Sequence, residues 1–254
     1  MTSRGKESVR KQKTDRNAEA RRVIVRPLLQ KDEEAMEAYR YFKYLVEEIH
    51  TTIVATVDDD GLPVTAAIDM MDYDENSLYF LTARGKGFYD RLKKKEFLAF
   101  TALKGEDTMS SVALSVRGKV RELGFDKKPD LFRKNPYMHE IYPTEESMQA
   151  LTVFQIFEGT GEWFDLSKKP IERSSFVFGY KDAQAEKHQV ICLNDGYLIT
   201  DACIGCGSCL PVCPQSCIDG SRVPFEIEQA HCLHCGNCMT ACPAGAVARR
   251  KAAK

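Results

Sequence analysis

Residues Cys203–Pro214 read CIGCGSCLPVCP and residues Cys232–Pro243 read CLHCGNCMTACP. Eight cysteines thus stand in two identical C-x2-C-x2-C-x3-C-P frames: Cys203, Cys206, Cys209 and Cys213, then Cys232, Cys235, Cys238 and Cys242. A [4Fe–4S] cubane needs four thiolates arriving from different directions around one compact core, and this spacing supplies them. Zinc sites use two cysteine pairs with a longer spacer and have no need of a third cysteine within the loop. Disulfide frameworks suit small secreted domains, and the first residues here contain no apolar signal core.

The segment from about Gly196 to Val247 closely resembles a dicluster ferredoxin, with Ile199, Thr200 and Asp201 leading into the first cysteine. The resemblance implies two [4Fe–4S] clusters, the fourth cysteine of each frame crossing to the other cluster. Cys203, Cys206, Cys209 and Cys242 would hold one, and Cys232, Cys235, Cys238 and Cys213 the other. This is also the one internal repeat: Ala202–Ile218 aligns with His231–Val247 at an offset of 29 residues. Cys217 then falls opposite Ala246 and reads as a small core residue, not a ligand. Cys192, in the apolar stretch Val190–Leu193, likewise reads as packing. His231 and His234 flank Cys232; they either tune the second cluster by hydrogen bonding to sulfur or sit on the surface without consequence. From Ile199 to Lys254 five Lys/Arg stand against four Asp/Glu. Two clusters at about −2 each turn that +1 into roughly −3, which favours a redox partner protein with a basic docking face.

The whole chain has 254 residues, 43% of them hydrophobic, enough for two modest domains with real cores. A net charge of −1 gives no field that would gather nucleic acid. No run approaches the ~18 apolar residues of a membrane span. The expectation is a soluble, cytoplasmic protein of a reducing, anaerobic cell. Met1–Arg22 carries eight Lys/Arg and three Asp/Glu; it reads as a solvated basic arm or as a docking arm for an acidic partner or a neighbouring subunit.

Upstream of the cysteines the period of the apolar residues assigns the elements. Lys31–His50 places Met36, Tyr39, Phe42, Leu45, Val46 and Ile49 at three- and four-residue steps, a helix. After His50 the period falls to two. Strands are expected at Thr52–Val57, Pro63–Met70, Leu78–Thr82, Phe97–Leu103 and Ser111–Arg121, the last bent or bulged at Gly118. Gly85–Lys95 reads as a short helix, and Asp126–Leu151 as helix broken at Pro136 and Pro143. Thr152–Glu158 and Glu162–Leu166 read as two closing strands, and Ser167–Asp195 as a link. Six or more antiparallel strands with a crossing helix suggest a small closed barrel. The organisation is a basic arm (1–30), a barrel domain (31–180), a linker (181–198) and a cluster domain (199–254), an α+β chain.

The stretch IVATVDDDGLPVTAAIDMMDYDENSLYFLTARGKGFYDRLKKKEFLAFTAL, Ile53–Leu103, resembles the pyridoxamine-phosphate-oxidase-like family of FMN-binding split barrels, a likeness covering roughly Tyr41 to Phe178. It implies a homodimer with FMN at the subunit interface. In LTARGKG, Leu81, Thr82, Arg84, Lys86 and Gly87 end a strand where a helix begins, a place suited to a phosphate; the alternative for Arg84 and Lys86 is a solvated basic turn. Thr65, Ala66, Ala67 and Ile68 match the strand whose backbone runs along the flavin ring. Ser111, Ser115 and Trp163 either line the pocket or pack. Ala66 and Met71 stand where the oxidase itself has Arg and Lys, and its C-terminal Arg-x-His is missing, so the chain does not read as that enzyme. His50, His139 and His188 show no spaced partner for a metal or acid–base pair. No Gly-rich nucleotide loop is present, so direct NAD(P)H binding is not indicated.

Two functions compete. In one, an FMN-dependent oxidoreductase exchanges electrons with its own ferredoxin module. In the other, the chain is an electron carrier between partner proteins. A third reading makes the barrel a dimerisation scaffold or a binder of haem or a deazaflavin.

Overall fold

A computed structural model describes residues 38–180 and 196–250. The basic arm, Cys192 and His188 lie outside the described residues, as does the first part of the Lys31–His50 helix. Its remainder, α1, is helical from 38 to 44 and ends in a π-helical turn, Leu45–Ile49. The strands that follow are β1 (Thr51–Val57), β2 (Pro63–Asp69), β3 (Asp72–Tyr73) and β4 (Leu78–Ala83). Helix α2 (Gly87–Lys95) leads to β5 (Phe97–Lys104) and β6 (Val112–Gly124). Three short helices, α3 (Lys128–Lys134), α4 (Met138–Ile141) and α5 (Glu145–Met148), precede β7 (Leu151–Asp165) and β8 (Glu172–Phe178). Pro136 and Pro143 follow the ends of α3 and α4, where the residue before proline leaves the helical region.

The eight strands form one antiparallel sheet in the order β2-β1-β5-β6-β7-β4-β3, with β8 also on β7. It curls into a half-barrel of the split-barrel type. It does not close as expected: β2 and β3 are the ends of its path and are not paired with each other. β7 is the spine. One edge pairs along its length with β6, while the other is shared between β4, on Leu151–Ile156, and β8, on Gly159–Asp165. Two corrections follow. Thr152–Glu158 and Glu162–Leu166 are one strand, and the supposed link beginning at Ser167 contains β8. The expected irregularity at Gly118 falls just beyond it, as register shifts between Lys119 and Val120 and between Glu122 and Gly124.

Helix α1 fills the concave side. Phe42 and Leu45 are fully buried, and Phe42 meets Phe176 and Phe178 edge-on at 6.0 and 5.0 Å. Around them gather Val54, Met70, Leu78, Phe80, Leu92, Leu98 and Phe154. On the other side of β4 and β7, α3 to α5 cover Tyr79, Leu81, Leu151 and Val153. Asn135, buried, fastens this layer by donating to Met71 O (2.9 Å) and Leu131 O (2.8 Å). β4 and the first half of β7 are thus covered on both faces and buried at almost every position, whereas β1 alternates. That alternation leaves the outward face of β1 and β5 apolar and exposed at Ile53 (55%), Val57, Phe97 and Leu103 (62%).

The cysteine module is two short hairpin-like pairs: β9 (Tyr197–Ile199) with β12 (Val247–Arg249), and β10 (Ile218–Asp219) with β11 (Glu226–Ile227). Helix α6 (Asn237–Ala241) lies in the second cysteine frame. The strand pairing of the module begins at Tyr197. The described residues of barrel and module belong to one compact unit.

Candidate functional site

Two cavities lie in the module, and each collects cysteines from both frames. Cys203, Cys206, Cys209 and Cys242 line one, with Ile199 and Phe225. Cys213, Cys232, Cys235 and Cys238 line the other, with Cys217 and Tyr197. Neither lining contains Asp, Glu or His. Four soft sulfur donors in an otherwise apolar wall fit an iron–sulfur cluster and suit hard cations poorly.

Backbone conformation turns the thiols inward. Gly205 and Gly207 take φ of 69° and 76°, and their repeat equivalents His234 and Gly236 take 56° and 80°. A β-carbon on Gly236 would stand 2.8 Å from Tyr197 Oη. At His234 the left-handed conformation is held by a residue with a side chain, at a cost of about 1–2 kcal/mol. The repeat extends to the amides on sulfur. Ala246 N–H donates to Cys242 Sγ at 3.3 Å, and in the first frame the backbone of Cys217, the equivalent residue, lowers the Cys213 thiol. Cys217 Sγ lies 3.4 Å from Cys213 Sγ, and burial pushes its thiol well up. Burial also raises Cys209, followed by the nearness of Cys203, Cys206 and Cys242. Hydrogen bonds from Ser208 lower the exposed Cys206. Both rings reach the barrel through Nδ1: His231 Nδ1 lies 3.0 Å from Ile171 O and His234 Nδ1 2.9 Å from Arg173 Nη1, while His231 Nε2 faces Glu228 at 3.7 Å.

The residues suggested for a flavin fall into groups. Thr65 and Ala67 point outward from β2, while Ala66 and Ile68 pack against the main core. Cross-strand register sets Ala67, Ile53, Thr101 and Ser115 in one outward row, and Ser115 Oγ lies 3.0 Å from Thr101 Oγ1. Near the end of β4, Thr82 Oγ1 is buried with no hydrogen-bond partner, and Lys86 is exposed at the N-cap of α2. An orphaned hydroxyl, an ammonium and the first amides of a helix fit a phosphate. Arg84 is already engaged, lying over the Phe125 ring (4.7 Å), bonding Gln149 O (3.3 Å) and facing Glu122 (3.8 Å). Three residues stand apart. Leu81 is under the α3–α5 layer, Ser111 Oγ bonds Asp107 O (2.5 Å), and Trp163 stacks on Tyr41 (5.2 Å) against the α1 side of the sheet.

One cluster was not visible in the sequence. Tyr137 Oη donates to Asp69 Oδ2 (2.7 Å) and lies 3.0 Å from His50 Nε2, while Thr51 Oγ1 donates to Asp69 Oδ1 (2.7 Å). Because the phenol donates to Asp69, His50 Nε2 must be the donor to the phenol oxygen. Burial, then the Asp69 carboxylate, raises the Tyr137 phenol and keeps it protonated. Asp69 shares the outward side of β2 with Thr65 and Ala67. His50 therefore has partners after all, brought 87 residues together by the β2 end and α4. Its φ of 69° is the local trace of that arrangement. His139 meets only the edge of Phe132 among the described ring contacts.

Comparison with known proteins gives two family matches. The model described as pyridoxamine 5'-phosphate oxidase matches residues 39–166, and that of a 4Fe-4S dicluster domain matches 202–246. Among solved structures, a NimC/NimA family protein from Clostridium acetobutylicum is similar at 13% identity and TM-score 0.48, covering 60% of this chain and 99% of that one. A pyridoxamine 5'-phosphate oxidase-related, FMN-binding protein from Nostoc punctiforme is similar at 9% identity and TM-score 0.42, covering 59% and 91%. A heme-binding protein from Mycobacterium smegmatis is similar at 9% identity and TM-score 0.43, covering 54% and 56%. No curated protein matches the chain.

Proposed function

This chain belongs to the pyridoxamine 5'-phosphate oxidase family and carries a 4Fe-4S dicluster domain, and we propose that it is an FMN-dependent oxidoreductase wired to its own clusters. The observation that carries the reading is the direct seam between the two parts: β8 and the residue before it hydrogen-bond to side chains beside one cysteine cavity. When bound, clusters pass electrons singly and a flavin takes two, which is the chemistry this pairing supplies.

The chain's own residues have separable tasks in this reading. Cys203, Cys206, Cys209 and Cys242 hold one cluster, and Cys213, Cys232, Cys235 and Cys238 the other. Lys86, Thr82 and the first amides of α2 bind the flavin phosphate; Arg84, paired with Glu122, contributes less charge there than its residue type suggests. Thr65 and Ala67 offer backbone on the outward face of β2. A second copy covering Ile53, Val57, Phe97 and Leu103 would bury an apolar face that a lone chain leaves to water, and would exclude water from the flavin. Tyr137 holds a proton at the edge of that face. Ala66 and Met71 stand where the oxidase has an Arg and a Lys on its flavin-contacting strand, so those two flavin contacts do not carry over to this chain.

Lys86→Ala is expected to weaken flavin binding about tenfold, the value of one charge-assisted hydrogen bond. Flavin released per chain from the purified variant should fall while iron per chain stays constant. Unaltered flavin content would remove Lys86 from the site.

A further inference from the structure

Three described hydrogen bonds join barrel to cluster module, and all reach one side of the module. Ile171 N–H donates to Gln215 Oε1 (3.0 Å), His231 Nδ1–H donates to Ile171 O (3.0 Å), and Arg173 Nη1 donates to His234 Nδ1 (2.9 Å). Gln215 stands two residues after Cys213, His231 precedes Cys232, and His234 precedes Cys235. Each module residue in the seam therefore borders a lining cysteine of the second cavity. None adjoins Cys203, Cys206, Cys209 or Cys242. Both cysteine sets keep one exposed thiol, Cys206 and Cys235, so exposure does not rank them. The seam does.

The repeat makes the asymmetry sharper. Position 205 is glycine in the first frame, whereas its equivalent in the second is His234, left-handed backbone included. An arginine can only donate, so His234 Nδ1 accepts and its ring is neutral with the proton on Nε2. The far side of that ring lies close to Gly196, where an added β-carbon would stand 2.7 Å from Nε2. Arg173 itself is held from the sheet by Glu162 at 3.3 Å. At this position the second copy alone places a side chain on left-handed backbone, and that side chain is bonded to Arg173 of the barrel; at 216 and 245 the copies are reversed, Ser216 standing opposite Gly245.

We infer that the two cluster sites are ordered. The Cys213, Cys232, Cys235 and Cys238 site is the inner one, coupled to the barrel through His234 and Arg173. The Cys203, Cys206, Cys209 and Cys242 site is the outer one, where electrons are exchanged with an external one-electron donor protein. With clusters bound, each electron given up by that donor would enter at the outer cluster site, pass to the inner cluster site and leave towards the barrel. Two passages fill a two-electron acceptor, and no bond to sulfur is made or broken. Arg173 is a positioning residue: it orients His234, and its guanidinium favours the more negative, reduced state of the inner site. The order rests on the cluster-to-flavin reading above and names the thiolate set that meets the barrel.

The test is an anaerobic, EPR-monitored reductive titration of the full chain with dithionite. Cys206→Ser and Cys235→Ser assign the two cluster signals. Arg173→Ala is expected to move the signal altered by Cys235→Ser to lower potential and leave the one altered by Cys206→Ser in place. Arg173→Lys should restore most of the shift. Glu162→Gln, which removes the neighbouring acid, should move the same signal in the opposite direction; it decides the matter where Arg173→Ala yields too little folded protein. Movement of the Cys206 signal, equal movement of both signals, or movement of neither would overturn the order. Protein purified without flavin but with one selectively shifted signal would refute the flavin reading and leave the order standing.

Discussion

Replacing Cys242 with alanine is expected to remove the same cluster as replacing Cys203, although the two cysteines lie 39 positions apart in the sequence. The reason is the crossing of the frames: Cys242 shares a cavity with the first three cysteines of the other frame, not with those of its own. Either substitution should lower iron from about eight to about four atoms per chain, and the surviving EPR signal should be identical in the two variants. Cys213→Ala should instead pair with Cys232→Ala. Cys217→Ala should leave iron at about eight, since its buried thiol reads as packing beside the second cavity and not as a ligand. If Cys242→Ala removed the signal lost in Cys235→Ala, each frame would be closed on itself and the ligand sets proposed above would be wrong.

The second large effect concerns the sheet. Gly159 sits where β6, β7 and β8 come closest, opposite Gly118 and Phe178. A β-carbon there would lie 2.3 Å from Arg117 O, 2.7 Å from Phe178 Cζ and 2.8 Å from Gly118 Cα. Two of those atoms are backbone of the central ladder, so relief requires opening the strands themselves. Gly159→Ala is therefore expected to cost roughly 3 kcal/mol, the upper end for overpacking by one methyl. That corresponds to a fall of roughly 6–12 °C in apparent Tm for a unit of this size. Gly85→Ala is the control: nothing lies within 4 Å of its added carbon, and its φ is not positive. Thermal melts followed by far-UV circular dichroism should separate the two. Equal melting temperatures would mean that β6 and β7 are not packed as described.

The same glycine explains where sequence reading stopped. β1, β2, β4 and β5 announce themselves by alternation or by an apolar run bounded by turn residues, and α1 by its three- and four-residue steps. In β7, Gly159-Thr160-Gly161 looks like a break because glycine usually ends strands. Here it is the means by which the strand continues under the rings of Phe176 and Phe178. β8 was hidden for a related reason: its first half, Glu172–Ser175, is polar and says nothing of an edge strand that also bears the seam. The cysteine frames carry their own geometry, because four ligands must converge and the chain can reach them in few ways. The barrel site has no such local code. Ser111, Ser115 and Trp163 are all on or beside β6 and β7, yet pleat and register send them to different surroundings. Tyr137 meets His50 only because a proline-interrupted helical segment folds back over the end of β2, a long-range event that no spacing records.

The most direct test of the central claim, a flavin served by two clusters in one chain, is the stoichiometry of the protein purified without oxygen. Iron, acid-labile sulfide and released flavin should be assayed on the same sample. About eight irons, about eight sulfides and close to one flavin per chain are expected. A full complement of iron and sulfide with no flavin would contradict the claim.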